Sequence, residues 1–528
     1  MMPIKGNRFI TSLMALLAIM GAEAQTASEV PSLVVNVIID QLRSDYLEAF
    51  SPLYGQGGFT RLMEKGRMYT QAEYPFDGPD AASSVACFVT GTSPYENGII
   101  GQRWLDRQTL QPVFCVDDNK YNGVYTLDKS SPQYLAVSTI GDELKVASEG
   151  KSVVLSIAPN RDAAILSAGH AADAAIWLDD WTGRVSGTSY YGALPSWASD
   201  FDTNNPLASR IGNIVWKPLN DEVVNFSYFV FEGSKKPFSH KFTGDRKFRQ
   251  FKASSCVNDE VNLLVKELLD KTSIGTDGVP DMLNLTYYAG GLDHESDSKY
   301  AMEVQDTYAR LDRQLEELIN AIESKVGQNK ALFVVTSTGY SDSEDAKDLS
   351  LYRIPTGTFS ITKAKLLLNM YLIAVYGQGD YVETVMGNEL YLNLKLIESK
   401  NLNLTEVLER SSDFLIQLSG VKDVYTSQRL ALGAGTPGIS KLRNAYNPKC
   451  SGDITIQVSP GWNLKNEDTL EQTFARESYL GFPLFLFGCG VAPEKVNIPV
   501  SIDRVAPTIS KALRIRAPNG CSQAPLNY

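Results

Sequence analysis

The 528-residue sequence predicts an α/β fold with a mostly parallel central sheet, helices on both of its faces, and cap insertions. Two observations favour this class. Short apolar, β-branched runs recur along the chain with helical patterns between them, which is the arrangement that builds a parallel sheet between two helical layers. The chain is also long enough to bury a large core, and its 43% hydrophobic and 21% charged residues are ordinary for a globular protein.

The first strand candidate is the run 32–40, which is apolar, rich in β-branched residues and ends in Asp40. Such runs are typical of strands buried on both faces. Function in parallel sheets concentrates at the carboxyl ends of the strands, so Asp40 is predicted to be a site residue. The alternative is that its carboxylate caps the helix expected from about residue 41. Further strand candidates follow at 152–157, 282–287, 332–336 and 483–487.

One long helix is predicted over about residues 300–324. Apolar side chains recur there at alternating spacings of four and three, at Val304, Tyr308, Leu311, Leu315, Leu318 and Ile322. That period places them on one face of the helix, and this face is expected to pack on the core.

Residues 1–24 have the pattern of a secretory signal peptide. Lys5 and Arg8 precede an apolar run, and Ala22-Glu23-Ala24 fits the small-x-small rule for cleavage. The mature chain is therefore expected to begin at Gln25 and to be periplasmic or at the cell surface. No later run offers about 18 apolar residues, so no transmembrane segment is expected. The net charge of −12 argues against a nucleic-acid partner.

Two stretches interrupt the alternation of strands and helices and are predicted to be insertions. Residues 179–252 are rich in Trp, Tyr, Ser, Gly and Asn with little helical period, which indicates a cap of loops and strands. Residues 357–435 combine helical patterns with short strands, which indicates a small α+β unit. The core is then assembled from 25–178, 253–356 and 436–528.

The six cysteines lie far apart in the sequence and form no CxxC pair, so they do not have zinc-ribbon spacing. In an exported protein some of them can pair as disulfides. Buried free thiols are the alternative.

Seven local motifs carry a family resemblance. They lie, in chain order, at 37–47, 57–62, 90–99, 101–104, 161–172, 303–312 and 500–508. Together they resemble the alkaline phosphatase superfamily, in its type I phosphodiesterase and nucleotide pyrophosphatase branch. The resemblance implies an alkaline-phosphatase-like fold and a site in which a Thr or Ser at a helix start attacks phosphorus between two zinc ions.

The positions that match this pattern are only partly kept. Asp40 matches the first metal-binding carboxylate. The nucleophile position is Ala81, which has no hydroxyl, and Ser83 and Ser84 are the possible substitutes nearby.

The other metal positions also differ from the family pattern. An expected aspartate falls at Gly290 or Gly291, an expected Asp-His pair at Thr338 and Gly339, and a last histidine at Gly481. The chain has three histidines in all, too few for a site that needs three imidazoles once one of them serves elsewhere.

The three histidines fall in different places in the sequence. His170 matches a structural histidine of the branch, and His240 falls in the expected cap. His294 lies in an acidic cluster with Asp293, Glu295 and Asp297, and such a cluster can hold a hard cation through oxygen ligands. A solvated acidic loop is the alternative.

On the substrate side, Arg161 matches a phosphate-contacting arginine of the family, and Gln102 stands where an asparagine is usual. The family's lysine position is Pro159. Arg161 and Gln102 are therefore predicted to bind an anion, since a guanidinium suits phosphate or carboxylate. An ion-paired arginine is the alternative.

The altered positions lead us to expect a catalytically inactive member of the superfamily. It would bind no cofactor and act as a binding or scaffold component, with another exported or outer-membrane protein as its partner. The alternative is an active phosphomonoesterase or phosphodiesterase with a rebuilt site. That site would use Asp40, Asp80, Asp293, His294 and Asp297 around Mg²⁺, Mn²⁺ or Ca²⁺, or around a single zinc ion.

Overall fold

The computed structural model describes residues 29–226, 228, 236–294, 299–339, 353, 355–433, 438–475 and 481–528. The predicted signal peptide, Glu295 and Asp297 lie outside the described residues. Among the described residues, no helix is long and apolar enough to cross a membrane.

A sheet of eleven strands forms the centre of the described chain and confirms the predicted fold class. From one edge to the other the strands are Glu494–Val496, Arg67–Glu73, Phe482–Gly488, Ala331–Ser337, Leu33–Asp40, Asp281–Tyr288, Val154–Ala158, Ala174–Leu178, Val185–Thr188 and Gly123–Val124, with Val500–Ser501 beside the second of them. The five strands from Ala331–Ser337 to Ala174–Leu178 are mutually parallel, and Phe482–Gly488 joins them antiparallel. The predicted strands are therefore present, with ends shifted by one or two residues.

The register of the central strands determines where a site can form. Asp40 pairs with Tyr288, and Ile39 pairs with Ser337, so all three strands end at the same edge of the sheet. Residues that follow these strands, such as Thr338, are thereby brought next to Asp40. This is the edge at which parallel α/β sheets hold their ligands.

Helices cover both faces of the sheet and bury two separate apolar clusters. On one face the long helix Ala301–Val326 packs beside Cys256–Lys271. On the other face Ala81–Thr90 packs beside Arg161–Ala168. The remaining core helices are Ser44–Ala49, Phe59–Lys65, Pro94–Asn97, Ile140–Ala147 and Val505–Leu513. The predicted apolar face of the long helix is confirmed, since Val304, Tyr308, Leu311, Leu315, Leu318 and Ile322 are all buried.

The stretch predicted to be a cap of loops and strands contains helices as well as loops and strands. It contains the helices Ser196–Asn204, Leu207–Arg210, Asp221–Asn225 and Lys247–Lys252. These are too short to display a clear helical period in the sequence, which explains the error. The strand Val185–Thr188 from the same stretch pairs with Ala174–Leu178 in the central sheet.

Helices and short strands alternate from residue 357 onward, and they continue beyond residue 435. The four-stranded sheet of this small α+β unit runs in the order Val382–Met386, Glu389–Leu392, Ile454–Val458 and Val421–Thr426. A second sheet joins Gly357–Ser360, Trp462–Asn466 and Glu471–Phe474. The helices are Ile361–Tyr376, Leu394–Ser399, Leu404–Leu415, Ser427–Leu432 and Ile439–Ala445. The unit encloses its own apolar cluster, and Ile454 and Ile456 belong to it, so the chain after 435 completes this unit before it returns to the core.

All six cysteines are free thiols in the structure, and Cys87, Cys115, Cys256 and Cys489 are buried. This agrees with the alternative of buried free thiols for those four positions.

Candidate active site

A pocket of about 270 Å³ opens at the carboxyl edge of the central sheet. Its lining includes four titratable side chains, from Asp40, Asp80, Asp162 and His294. The rest of its lining comes from Gln41, Pro79, Ala81, Gln102, Asn160, Thr338 and Gly339. Of the residues singled out in the sequence, the pocket brings together Asp40, Asp80, Ala81, Gln102 and His294, from segments more than 200 residues apart.

Asp40 lies at the end of its strand and faces this pocket. The Thr338 hydroxyl donates to Asp40 Oδ1 over 2.7 Å. Burial raises the pKa of the Asp40 carboxyl, and the nearby His294 and the bond from Thr338 oppose that rise. The nearest helix, Ser44–Ala49, begins after Arg43 and has no side-chain cap, so the alternative that Asp40 caps a helix is wrong.

Asp80 caps the helix Ala81–Thr90 instead. Its Oδ1 accepts from the backbone N–H and the hydroxyl of Ser83, each over 2.8 Å. Its Oδ2 accepts from the backbone N–H of Gln102 over 2.6 Å. Burial raises the pKa of Asp80, against these hydrogen bonds. Both carboxylate oxygens are thus already engaged in holding the helix start and the Gln102 loop.

The two serines proposed as substitute nucleophiles have structural partners. Ser83 completes the capping box with Asp80, and the Ser84 hydroxyl donates to the Thr338 carbonyl over 2.7 Å. Both side chains are fully buried and neither lines the pocket, whereas Ala81 does. At the start of the helix the pocket wall is therefore a methyl group.

Replacing Ser83 by alanine is expected to leave phosphoric ester turnover unchanged and to lower the free energy of unfolding by about 1 kcal/mol, the usual cost of losing a cap. Parallel measurements of kcat and of urea unfolding check this. A loss of turnover beyond tenfold at unchanged stability would identify Ser83 as a nucleophile after all.

Gln102 and Arg161 are not brought together at the pocket. Gln102 lines it and donates from Nε2 to Asp162 Oδ2 over 3.0 Å. Arg161 is absent from the lining, because its guanidinium pairs with Asp117 at 3.0 Å and lies 3.7 Å from Asp128. An anion site shared by Gln102 and Arg161 therefore stays a prediction. Arg161 is ion-paired, as the alternative interpretation expected.

Asp162 is a pocket residue that sequence reasoning missed. It follows Arg161 in the first turn of the helix Arg161–Ala168, directly after the parallel strand Val154–Ala158. The signal was available, because the residues after each parallel strand reach the same edge of the sheet. The sequence prediction considered Arg161, which matches the family pattern, and overlooked Asp162 next to it.

Two residues of the predicted acidic cluster, Asp293 and His294, lie among the described residues, and their side chains do not share one site. His294 lines the pocket, and its ring stands edge-on to that of Tyr288 at 4.9 Å. Asp293 does not line it, and its Oδ2 accepts from Gln250 Nε2 over 3.1 Å. Both Asp293 and His294 have a φ of 57°, a left-handed conformation that costs free energy in non-glycine residues.

The other two histidines have structural partners, as the sequence indicated for His170. The His170 ring is 2.9 Å from Asp142 Oδ2 through Nδ1 and 3.0 Å from the Leu135 carbonyl through Nε2. The His240 Nε2 lies 2.6 Å from Glu303 Oε1 on the long helix. His294 is therefore the histidine that remains for the pocket.

The bond to Asp142 raises the pKa of His170 above its ordinary value. Because the folded-state pKa exceeds the unfolded value of about 6.5, the stabilisation is complete below that value. It is lost as the pH rises through the folded-state pKa. The melting-temperature difference between the wild type and His170→Gln is therefore expected to be larger at pH 6 than at pH 9. Equal differences at both values would contradict this.

The described residues do not fit the two-metal centre of the family pattern. No group of three or more His, Cys, Asp or Glu side chains among them converges so as to hold a metal ion. Asp80 already accepts three hydrogen bonds, and Thr338 and Gly339 stand where the family resemblance expects ligands.

Residues 34–480 match the family described as type I phosphodiesterase / nucleotide pyrophosphatase. The chain belongs to this family. The match covers most of the chain, includes six of the seven motifs and confirms the family resemblance. Proteins of this family are phosphoric ester hydrolases and in general metal-dependent.

Similar family members are known across almost the full length. Alkaline phosphatase PafA of Elizabethkingia meningoseptica is 27% identical, with 98% of each chain covered. Alkaline phosphatase PhoV of Synechococcus elongatus is 27% identical, with 93% of this chain and 91% of PhoV covered. The crystal structure of wild-type PafA superimposes with a TM-score of 0.80 at 26% identity, over 95% of this chain and 99% of PafA.

These comparisons correct one expectation. The sequence led us to expect a member that has lost phosphatase activity, and the nearly full-length similarity to proteins named alkaline phosphatases contradicts that interpretation. The error came from equating a change in known catalytic positions with loss of the reaction. The alternative, an active enzyme with a rebuilt site, agrees better with the comparisons.

Proposed function

We propose that the chain hydrolyses phosphoric mono- or diesters in the pocket beside Asp40. The observation that carries the proposal is the similarity to alkaline phosphatases over nearly the whole chain, together with a pocket at the carboxyl edge of the same kind of sheet. Asp40, the first carboxylate of the family pattern, is retained in that pocket.

Water is the attacking group in this proposal. Ala81 has no hydroxyl, and those of Ser83 and Ser84 are engaged away from the pocket. Asp40 accepts a proton from water as the water oxygen bonds to phosphorus, and the bond from phosphorus to the ester oxygen breaks. The departing alkoxide then takes up that proton. Burial favours this role, because a carboxylate with a raised pKa is a stronger base.

Charge limits how the substrate can bind. The described lining contains three aspartates and no lysine or arginine. A dianionic ester alone would be repelled, so we expect the substrate to enter as its complex with a divalent cation, in which the positive charge offsets that of the phosphate. The earlier expectation of no bound cofactor stays a prediction, to be checked by the metal content of the purified protein.

Export is part of the proposal. The signal-like pattern in residues 1–24 supports a periplasmic or cell-surface location. A partner among exported or outer-membrane proteins stays a prediction.

The test is an assay of the purified mature chain on aryl phosphate mono- and diesters, with Mg²⁺, Mn²⁺, Ca²⁺ or Zn²⁺ supplied with the ester, and with EDTA in a parallel series. We expect turnover without a pre-steady-state burst, since no covalent phosphoryl-enzyme forms. A burst would contradict direct attack by water, and no turnover on any ester would overturn the proposal.

A further inference from the structure

A cavity of about 500 Å³ lies between the core and the small α+β unit. It shares no lining residue with the pocket beside Asp40. The two are nevertheless neighbours, because Asp77 and Gly78 precede Pro79 and Asp80, and Arg103 follows Gln102. Its volume falls in the range of about 300–1,000 Å³ that is typical of small-molecule sites.

Polar contacts between the two units fix the walls of this cavity. Arg107, at the tip of the hairpin Arg103–Asp106/Gln111–Phe114, donates to Asp453 over 3.0 Å and to the Ser451 carbonyl over 2.8 Å. Lys441 pairs with Glu73 at 2.7 Å on another side. The space is therefore preformed, which lowers the entropic cost of binding a ligand.

Aromatic side chains make up much of the apolar wall. Trp104 comes from the core hairpin, while Tyr391, Tyr425 and Tyr446 come from the small unit. Three of them are buried, and Tyr446 is partly exposed. Such rings have flat apolar faces and polar edges. Arg107 lies over the Tyr391 ring and Arg429 over the Tyr425 ring, so the partly exposed Tyr446 has the most open ring.

Polar groups in the same wall offer both donors and acceptors. Asn466 is 3% exposed, and its Nδ2 has no acceptor among the described residues, although its Oδ1 accepts from the Asp468 N–H over 3.0 Å. Glu389 accepts on one oxygen from the Gly452 N–H and from the Tyr391 hydroxyl, each over 3.0 Å. An unmet buried amide costs free energy, and Asn466 can donate to a ligand when its side chain turns toward the cavity.

The charges of the lining exclude an anionic ligand. Asp77, Glu389 and Glu471 contribute carboxylates, and Arg103 is the cation of the described lining. Arg103 is itself bound to Glu471. An anion would therefore meet carboxylates without an unpaired cation to offset them.

We propose that this cavity is a binding site for a neutral carbohydrate of one to a few pyranose units. The C–H face of a sugar ring fits against aromatic side chains, and its hydroxyls act as both donors and acceptors, which suits Glu389 and Asn466. The proposal does not depend on turnover in the pocket beside Asp40.

The experiment is isothermal titration calorimetry of the full mature protein with maltotriose, cellotriose and chitotriose at millimolar concentrations. Inorganic phosphate, tetramethylammonium and adenosine serve as comparison ligands. We expect saturable one-to-one binding of at least one neutral sugar. Tyr446→Ala is expected to weaken it by roughly tenfold or more, as loss of a central aromatic contact does, while Tyr446→Phe keeps the ring and stays within about threefold of wild type.

Two further variants locate the site. Asp40→Ala is expected to bind the sugar like the wild type, which separates this site from the hydrolytic pocket. Met386→Arg, at a partly exposed position in the cavity wall, is expected to block binding and serves if Tyr446→Ala does not fold. Absence of saturable sugar binding would overturn the proposal. So would binding that Asp40→Ala abolishes, or binding at this wall of adenosine or tetramethylammonium but of no sugar.

Discussion

Asp40→Ala is expected to lower kcat/KM for phosphoric ester hydrolysis by about 10²–10⁴-fold, the range for loss of a general base. The carboxylates of the pocket are not equivalent. The Asp80 carboxylate accepts hydrogen bonds from the backbone N–H groups of Ser83 and Gln102. Asp162 Oδ2 accepts one from the Gln102 side chain. Asp40 has the bond from the Thr338 hydroxyl and a backbone bond at Gln41, and burial raises its pKa. It is the carboxylate best placed to accept a proton from water.

Two controls separate chemistry from folding. Asp40→Asn keeps the shape and the contact with Thr338 but cannot act as a base, so it is expected to be as inactive as Asp40→Ala. Asp45→Ala removes a nearby carboxylate that pairs with Arg43 at 2.7 Å, and it is expected to keep full activity. If Asp40→Ala retains turnover while its melting temperature is unchanged, Asp40 is not the base.

The pH dependence of kcat/KM provides a second test of Asp40 as the general base. A base must be deprotonated to act, so kcat/KM is expected to fall as the pH drops through the folded-state pKa of Asp40. Because that pKa is raised, the fall begins at a higher pH than for an ordinary aspartate, whose pKa is about 3.9. Thr338→Val removes a bond that lowers the pKa, so it is expected to move the acid limb to still higher pH. A profile that does not respond to Thr338→Val would contradict the assignment.

The central architecture could be predicted from the sequence because each central strand is recognisable from its own run of apolar residues. A strand buried on both faces must be apolar throughout, as Leu33–Asp40 is, and its neighbours in the sheet share that property. The residue at the end of such a strand then falls at the functional edge whatever its partners are. Asp40 could therefore be placed without any knowledge of the strands that flank it.

What lines the pocket could be predicted only in part, because contacts between distant segments leave no local signal. The sequence around Arg161 does not indicate that the Arg161 guanidinium pairs with Asp117 outside the pocket. Likewise, Ser83 is an ordinary first-turn serine in sequence, and only the structure shows its hydroxyl committed to Asp80. The family pattern points to residues such as Asp40 that line this pocket, but the competition among hydrogen-bond partners determines which side chains face it.

The largest effect on stability is expected from Asp306→Ala. Asp306 lies on the long helix Ala301–Val326 and is fully buried. Its carboxylate accepts from Trp216 Nε1, from the Leu219 N–H and from Arg310 Nε, each over 2.6 Å. Alanine would leave the indole N–H, the backbone N–H and the Arg310 Nε–H without an acceptor, while the guanidinium keeps its bond to the Lys217 carbonyl. Breaking a buried ion pair from one side costs about 3–5 kcal/mol, so a loss of that size in the free energy of unfolding is expected.

Urea unfolding followed by far-UV circular dichroism measures this loss, and a second carboxylate of the same helix supplies the matched control. Glu317 is exposed and pairs with Lys266 at 3.1 Å, so Glu317→Ala is expected to cost less than about 1 kcal/mol. Asp306→Asn should lie between the two, because an amide still offers one acceptor oxygen but carries no charge to balance Arg310. Asp306 does not line the pocket beside Asp40, so turnover of the folded fraction should be kept. Equal losses in the free energy of unfolding for Asp306→Ala and Glu317→Ala would contradict this prediction. They would mean that water can reach the partners of Asp306.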